Sequence, residues 1–153
     1  MREILFRAKQ IENRNWVEGY YIRQDETTYC FKEDYESHPE NTKHYIVFDM
    51  PTDWGLPNRH LVAEIDPETL CQFTGSNDKN GNRIWENDIV SFIDMTSTES
   101  GYCERNCIGR VAWDIEEACF YVTDRLSSES WEVLQDCYAV GNIFDNPELL
   151  NGE

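Results

Sequence analysis

Apolar and polar residues alternate with a period of two along most of this chain, a pattern that predicts strands rather than helices. Ile4, Phe6 and Ala8 alternate with Arg7 and Lys9, which reads as a half-buried first strand. Asn13-Arg14-Asn15 is turn chemistry, and Trp16 to Ile22 reads as a second, aromatic strand, so the chain opens on a hairpin. Asp25 to Lys43 is polar, acidic and interrupted by Pro39; it reads as a loop or excursion with a short strand at Tyr29-Cys30-Phe31. His44 to Phe48 is a strand, followed by turn residues at Trp54-Gly55-Leu56-Pro57-Asn58.

The most sharply patterned stretch is Asp66 to Phe92. Asp66-Pro67-Glu68-Thr69 turns the chain, and Leu70 to Thr74 is a short strand. Asn80-Gly81 inside the cluster Gly75–Asn82 predicts a tight hairpin turn with two neighbouring residues at positive φ. Glu86-Asn87-Asp88 predicts a bend before the buried strand Ile89 to Ile93, because asparagine tolerates the left-handed region. Met95 to Asn106 reads as a polar loop. Ile108–Trp113 and Ala118–Val122 form a further hairpin. Over Ser127 to Gln135 a short capped helix and a strand compete, and Tyr138 to Phe144 is the last strand before a turn at Asn146–Leu150. Short strands separated by turn signals predict a mainly β domain, a small barrel or sandwich with little helix.

Composition adds charge to this picture. The 153 residues hold 30 acidic against 13 basic side chains, a formal net charge of −17. From Val111 to Glu153 the only basic residue is Arg125. Such a field repels phosphate backbones, so no direct nucleic-acid binding and no attachment to anionic membranes is expected. The longest apolar runs are a few residues, too short to span a bilayer. Without a signal-peptide pattern at Met1–Gln10, the six cysteines are expected to be reduced, in a cytoplasmic protein. A length of 153 residues predicts one domain, with a possible N-terminal subdomain 1–60 and a barrel-like part 61–150.

Three blocks resemble the YopX family of phage and prophage proteins: Arg2-Glu3-Ile4-Leu5-Phe6-Arg7-Ala8 at the start; Asp66–Thr69, Gln72–Gly75, Asp78–Gly81, Ile84 and Glu86–Val90 in the middle; and Val140–Leu150 at the end. One departure is visible, Asn87, where the family's bend usually reads Glu-Gly-Asp. The resemblance implies a mainly β fold containing a small SH3-like barrel, a homo-oligomer, and a phage or prophage origin in a bacterial host. It implies no activity and carries over no functional residue.

Candidate chemistry is sparse. Ser76, Asp78 and Asn80 fall at calcium-loop spacing before Gly81, but the twelfth position is Asn87, which cannot supply a bidentate carboxylate. Cys103 and Cys107 have a spacing that zinc sites allow and are weak metal candidates; Cys30, His44, His60 and Cys71 are conceivable further donors, none forming a second tight pair. No catalytic residue, cofactor or nucleotide motif stands out, and the three histidines lie in no triad pattern. The aromatic set Trp16, Tyr20, Trp85, Phe92, Trp113 and Tyr121 reads as core or subunit interface, since a base-stacking platform would need a basic groove. The expectation is a non-enzymatic interaction or assembly module, a homo-oligomer able to meet a host or phage protein. An acidic DNA-mimic decoy of a host protein is the alternative, with a metal-assisted enzyme behind it.

Overall fold

A computed structural model describes residues 3–99, 101–123 and 134–150. These residues group into two compact units, Ile4–Gln72 and the chain from Phe73 onward with Glu3, and the division falls inside a strand rather than in a linker.

In the first unit, β1 (Phe6–Lys9) and β2 (Trp16–Asp25) form the opening hairpin expected from the alternation. The turn between them is closed by Arg14, at φ 61, whose N–H donates to Gln10 O at 3.0 Å. β2 pairs with β3 (Thr42–Met50), β3 pairs with β4 (Arg59–Glu64), and the first residues of β5 (Cys71–Asn77) pair with β1. All these ladders are antiparallel. Leu5 is buried and Ile4 is 53% exposed, so the inward alternation starts at Phe6 and not at Ile4. Ala8, Val17, Ile46 and Ile65 form the core, with Phe6, Phe48, Ala63 and Leu70 packed against it. Gly19 crosses β3 so closely that a Cβ would strike the Val47 carbonyl.

The excursion 25–43 holds no strand at Tyr29-Cys30-Phe31. It folds instead into helix α1 (Lys32–Ser37) and a 3₁₀ turn at Pro39–Asn41. Six residues cannot sustain a helix alone. Tyr29 does the holding: it meets Tyr35 edge-on at 5.0 Å, stacks on His38 at 5.7 Å, and its hydroxyl accepts from Asn41 Nδ2 at 2.7 Å.

In the second unit, the rest of β5 pairs with β6 (Arg83–Trp85), and a four-stranded antiparallel sheet runs β10-β7-β8-β9 (β10 Tyr138–Asn142, β7 Asp88–Thr98, β8 Gly101–Asp114, β9 Cys119–Val122). Its core gathers Ile84, Val90, Phe92, Val111, Phe120, Val122, Leu134 and Cys137. The expected polar loop Met95–Asn106 is in fact strand, over Met95–Thr98 and again over Gly101–Asn106. β7 and β8 pair without interruption from Ile89–Arg110 to Thr98–Gly101, so these polar residues occupy a two-stranded hairpin. The competing helix and strand over Ser127–Gln135 fall almost wholly outside the described residues. The family-length expectation of a mainly β fold holds. Neither strand order closes on itself as a continuous ladder, so the closure of an SH3-like barrel is not seen among the described residues.

Candidate functional site

The acid and turn residues that the sequence singles out prove to be structural. Asp78 is buried, and its carboxylate accepts from Asn80 N (2.9 Å), Asn82 N (2.8 Å), Asn82 Nδ2 (3.1 Å) and Ala139 N (3.2 Å). Burial pushes its carboxyl up, but the donors of Asn82, Ala139 and Asn80 outweigh that and hold it below the ordinary range. Its oxygens are committed to the protein's own donors. The turn itself differs from the expected pair of positive-φ residues: Gly81 alone is left-handed, at φ +84, and Gly81 N donates to Asp78 O at 2.9 Å. Aspartate bonding, rather than the Asn-Gly pair, sets this turn.

The bend at Asn87 behaves as its sequence suggests, with φ at 68. Asn87 also does what glycine cannot. Its Oδ1 accepts from Arg110 Nη2 at 2.6 Å and Nε at 3.1 Å, while its backbone bonds Val111 O and Ile143 N. Asp88 Oδ2 accepts from Trp85 N at 2.8 Å and closes the other side of the bend.

Cys103 and Cys107 both lie on β8, the first exposed and the second buried. Four residues of strand separate their Cα atoms by about 13 Å, so they do not converge on one ion. Among the described residues, no group of three His, Cys, Asp or Glu side chains is placed to hold a metal. Of the other conceivable donors, His60 Nδ1 lies 2.6 Å from Asp49 and Cys71 donates to Thr69 O. Cys137 is buried, and that burial, with Asp78 nearby, pushes its thiol up to about 11.

The first unit holds a concavity that the sequence does not reveal, about 520 Å³ between α1 and the exposed face of β2 and β3. Across its floor, Tyr21 Oη and His44 Nδ1 share a hydrogen bond of 2.8 Å, with their rings stacked at 5.9 Å. Asp25 accepts from Thr42 Oγ1 at 2.7 Å and from Arg23 at 3.2 Å, bonds that hold its carboxyl below the ordinary range despite some desolvation. Lys32 and Glu36 face each other at 3.3 Å along α1. These groups satisfy one another in rungs across the ladder. The floor carries no Ser or Cys nucleophile set beside a base, so its geometry supplies no assembled reaction centre.

What the surface does concentrate is apolar side chain on two hairpins. On β3–β4 and its loop, Trp54 is fully exposed, Leu56 is 61% exposed and Val62 is 62% exposed. On β7–β8, Ile93, Met95, Tyr102 and Ile108 are all exposed. Their cross-strand partners (Ser91–Ile108, Ile93–Asn106, Met95–Glu104, Ser97–Tyr102) place them on one face, which Tyr138 of β10 joins opposite Ser91. The aromatic set therefore divides. Trp85 and Phe92 are core, Trp113 packs edge-on against Phe120 at 4.9 Å while remaining 41% exposed, and Tyr20 is 60% exposed. Trp16 lies beneath the guanidinium of Arg7 at 4.8 Å.

Comparison with curated proteins gives no match. Among solved structures, the crystal structure of protein EF1440 from Enterococcus faecalis is similar, with a TM-score of 0.53 at 20% identity over 98% of this chain and 99% of that one. At that identity the likeness speaks for the fold alone. The family model for YopX protein matches residues 5–151, nearly the whole of the two units described above. The bend around Asn87 and the closing strand and turn lie inside that match, and the chain belongs to the YopX family.

Proposed function

We propose that this protein is a non-enzymatic assembly module that associates with copies of itself. The observation that carries the proposal is the load of exposed apolar side chains on the β3–β4 and β7–β8 hairpins. Isolated exposed hydrophobes are ordinary, whereas a contiguous face of them marks an interaction surface. On the β7–β8 face, Ile93, Met95, Tyr102, Ile108 and Tyr138 offer about 600 Å² of side chain per copy, close to the ~800 Å² per partner of a standard interface. Along the β7–β8 ladder that face carries one charge of each sign, Glu104 and Arg110, and Lys79, paired with Asp136, lies over the Tyr138 ring. In a chain of net charge −17, copies approach most readily through such a neutral face.

Tyrosine, methionine and tryptophan are residue types enriched at interface centres, which supports the same choice of surface. The phage or prophage origin that the family resemblance implies would place the assembly in the cytoplasm of a bacterial host. Sedimentation equilibrium tests the proposal: the expected result is a dimer or larger species at micromolar concentration, weakened when Tyr102 and Met95 are both changed to Ser. A monomer throughout, or an assembly indifferent to those changes and to changes on β3–β4, would refute it.

A further inference from the structure

Strand β4 leaves one side of its ladder open. Ile65 N donates to His44 O at 2.9 Å, and the register continues through Ala63–Ile46, Leu61–Phe48 and Arg59–Met50. Hydrogen bonding alternates along an antiparallel pair. Arg59, Leu61 and Ala63 therefore turn their backbone groups toward β3, and His60, Val62 and Glu64 turn theirs away. Ile11 N bears this parity out, because it donates to Glu64 O at 3.1 Å from the outer side. That bond closes the open side at Glu64. Upstream of it, the N–H and C=O groups of His60 and Val62 have no backbone partner among the described residues.

Open edges are normally blunted by proline, bulges or charged side chains, lysine above all. Arg59–Ala63 has no proline, bulge or lysine, its one full charge is Arg59 at the start, and its side chains are largely exposed. A cavity of about 430 Å³ lies beside this edge, with Ile11, Phe48, Leu61 and Ala63 in its lining.

We infer that β4 pairs antiparallel with β4 of a second copy about a two-fold axis at Leu61. The inference rests on the self-assembly proposed above and names one contact within it. The closure at Glu64 leaves a stretch whose outward groups, on His60 and Val62, lie symmetrically about Leu61. An identical strand satisfies all four groups of each copy, His60 of one opposite Val62 of the other, with four hydrogen bonds in total.

Three further features fit a second copy. Leu61 meets Leu61 at a non-hydrogen-bonded position, where Cα atoms stand ~4.5 Å apart and apolar side chains touch. His60, whose Nδ1 lies 2.6 Å from Asp49 of its own copy, falls diagonal to Glu64 of the other copy on the same face. No acidic residue lies between Arg59 and Ala63, so the paired stretch itself sets no carboxylate directly opposite another. The same register carries the loop bearing the fully exposed Trp54 toward the other copy's Ile65 end, beside its cavity.

Cysteine cross-linking tests the pairing in a background with the exposed Cys30, Cys103 and Cys119 changed to Ser. Leu61→Cys is expected to give a reducible covalent dimer as the main product of mild oxidation at about 10 µM, since ~4.5 Å between Cα atoms suits a disulfide. His60→Cys is expected to give at least fivefold less, because its counterpart lies beyond the ~7 Å that a disulfide spans. Val62→Pro removes an N–H that points away from β3, so the fold is expected to persist while the association constant drops at least tenfold. Equal cross-linking at both cysteines, or none, overturns the inference even if Val62→Pro fails to fold. An assembly that persists unchanged in Val62→Pro overturns it while leaving self-assembly standing. A parent chain that stays monomeric at about 100 µM removes both.

Discussion

Asp78→Asn is the substitution whose outcome the structure determines most closely. The carboxylate accepts four hydrogen bonds from three residues, and two of its donors are backbone N–H groups within its own turn. The third backbone donor, Ala139 N, anchors β10, and Lys79 N returns a bond to Cys137 O at 3.0 Å. Asparagine keeps the shape but replaces one acceptor oxygen with an NH₂ that faces donors. Each oxygen accepts two of the four bonds, so two donors face the NH₂ whichever oxygen is replaced; at about 1.5 kcal/mol for each charge-assisted bond, the loss at pH 7 is about 3 kcal/mol. Urea unfolding followed by tryptophan fluorescence reads this directly.

The pH dependence has a definite sign. The folded carboxyl titrates below its ordinary value of 3.8, so its stabilisation is fully present above that value and is lost as pH falls through the folded value. The gap between wild type and Asp78→Asn is therefore expected to be constant from pH 7 to 5 and to narrow below about pH 4, where the wild-type side chain also becomes neutral. A loss under 0.5 kcal/mol at pH 7, or a gap that does not change between pH 6 and 3, would refute the assignment of Asp78 as the knot of this turn.

Asn87→Gly is expected to change stability by less than about 1 kcal/mol, because relief at φ 68 offsets the lost Arg110 bonds, whereas Asn87→Ala loses both and costs about 2 kcal/mol. Thermal melts of the pair would show the difference. Gly109→Ala forces a Cβ into the Thr123 carbonyl and Val122, so a loss of about 2–3 kcal/mol is expected from denaturant titration. With Ellman's reagent at pH 8, Cys30, Cys103 and Cys119 are expected to react quickly, and Cys71, Cys107 and Cys137 only on unfolding, Cys137 held back further by a thiol at about 11. Raising NaCl from about 50 to 500 mM is expected to strengthen self-association, since screening weakens repulsion between acidic copies; sedimentation at both salts would check this.

Much of the strand plan is legible because alternation survives wherever one face of a strand meets a core, as at Phe6–Lys9, Trp16–Ile22 and Ile108–Trp113. It fails at Met95–Asn106, where the apolar residues Met95 and Tyr102 lie on an exposed face and not against a core that would impose a period. It fails again at Lys32–Ser37, since the helix is shorter than any periodicity can register and depends on Tyr29 packing from outside it. The Asn87 bend is readable from local residue preference alone. The Asp78 knot is not, because one of its four donors is Ala139, 61 residues away. The concavity under α1 is likewise invisible, being built from rungs of β2 and β3 whose register only the folded chain fixes. The exposed apolar residues look in sequence like core material, and only their burial separates Phe92 from Ile93.

Self-association is the central claim, and sedimentation velocity from about 1 to 100 µM in moderate salt tests it most directly. The expected result is a concentration-dependent shift from the 18.1 kDa chain to a dimer or larger species, reversed by Val62→Pro together with the Met95 and Tyr102 changes. A single 18.1 kDa species across the whole range, at both low and high salt, would contradict it.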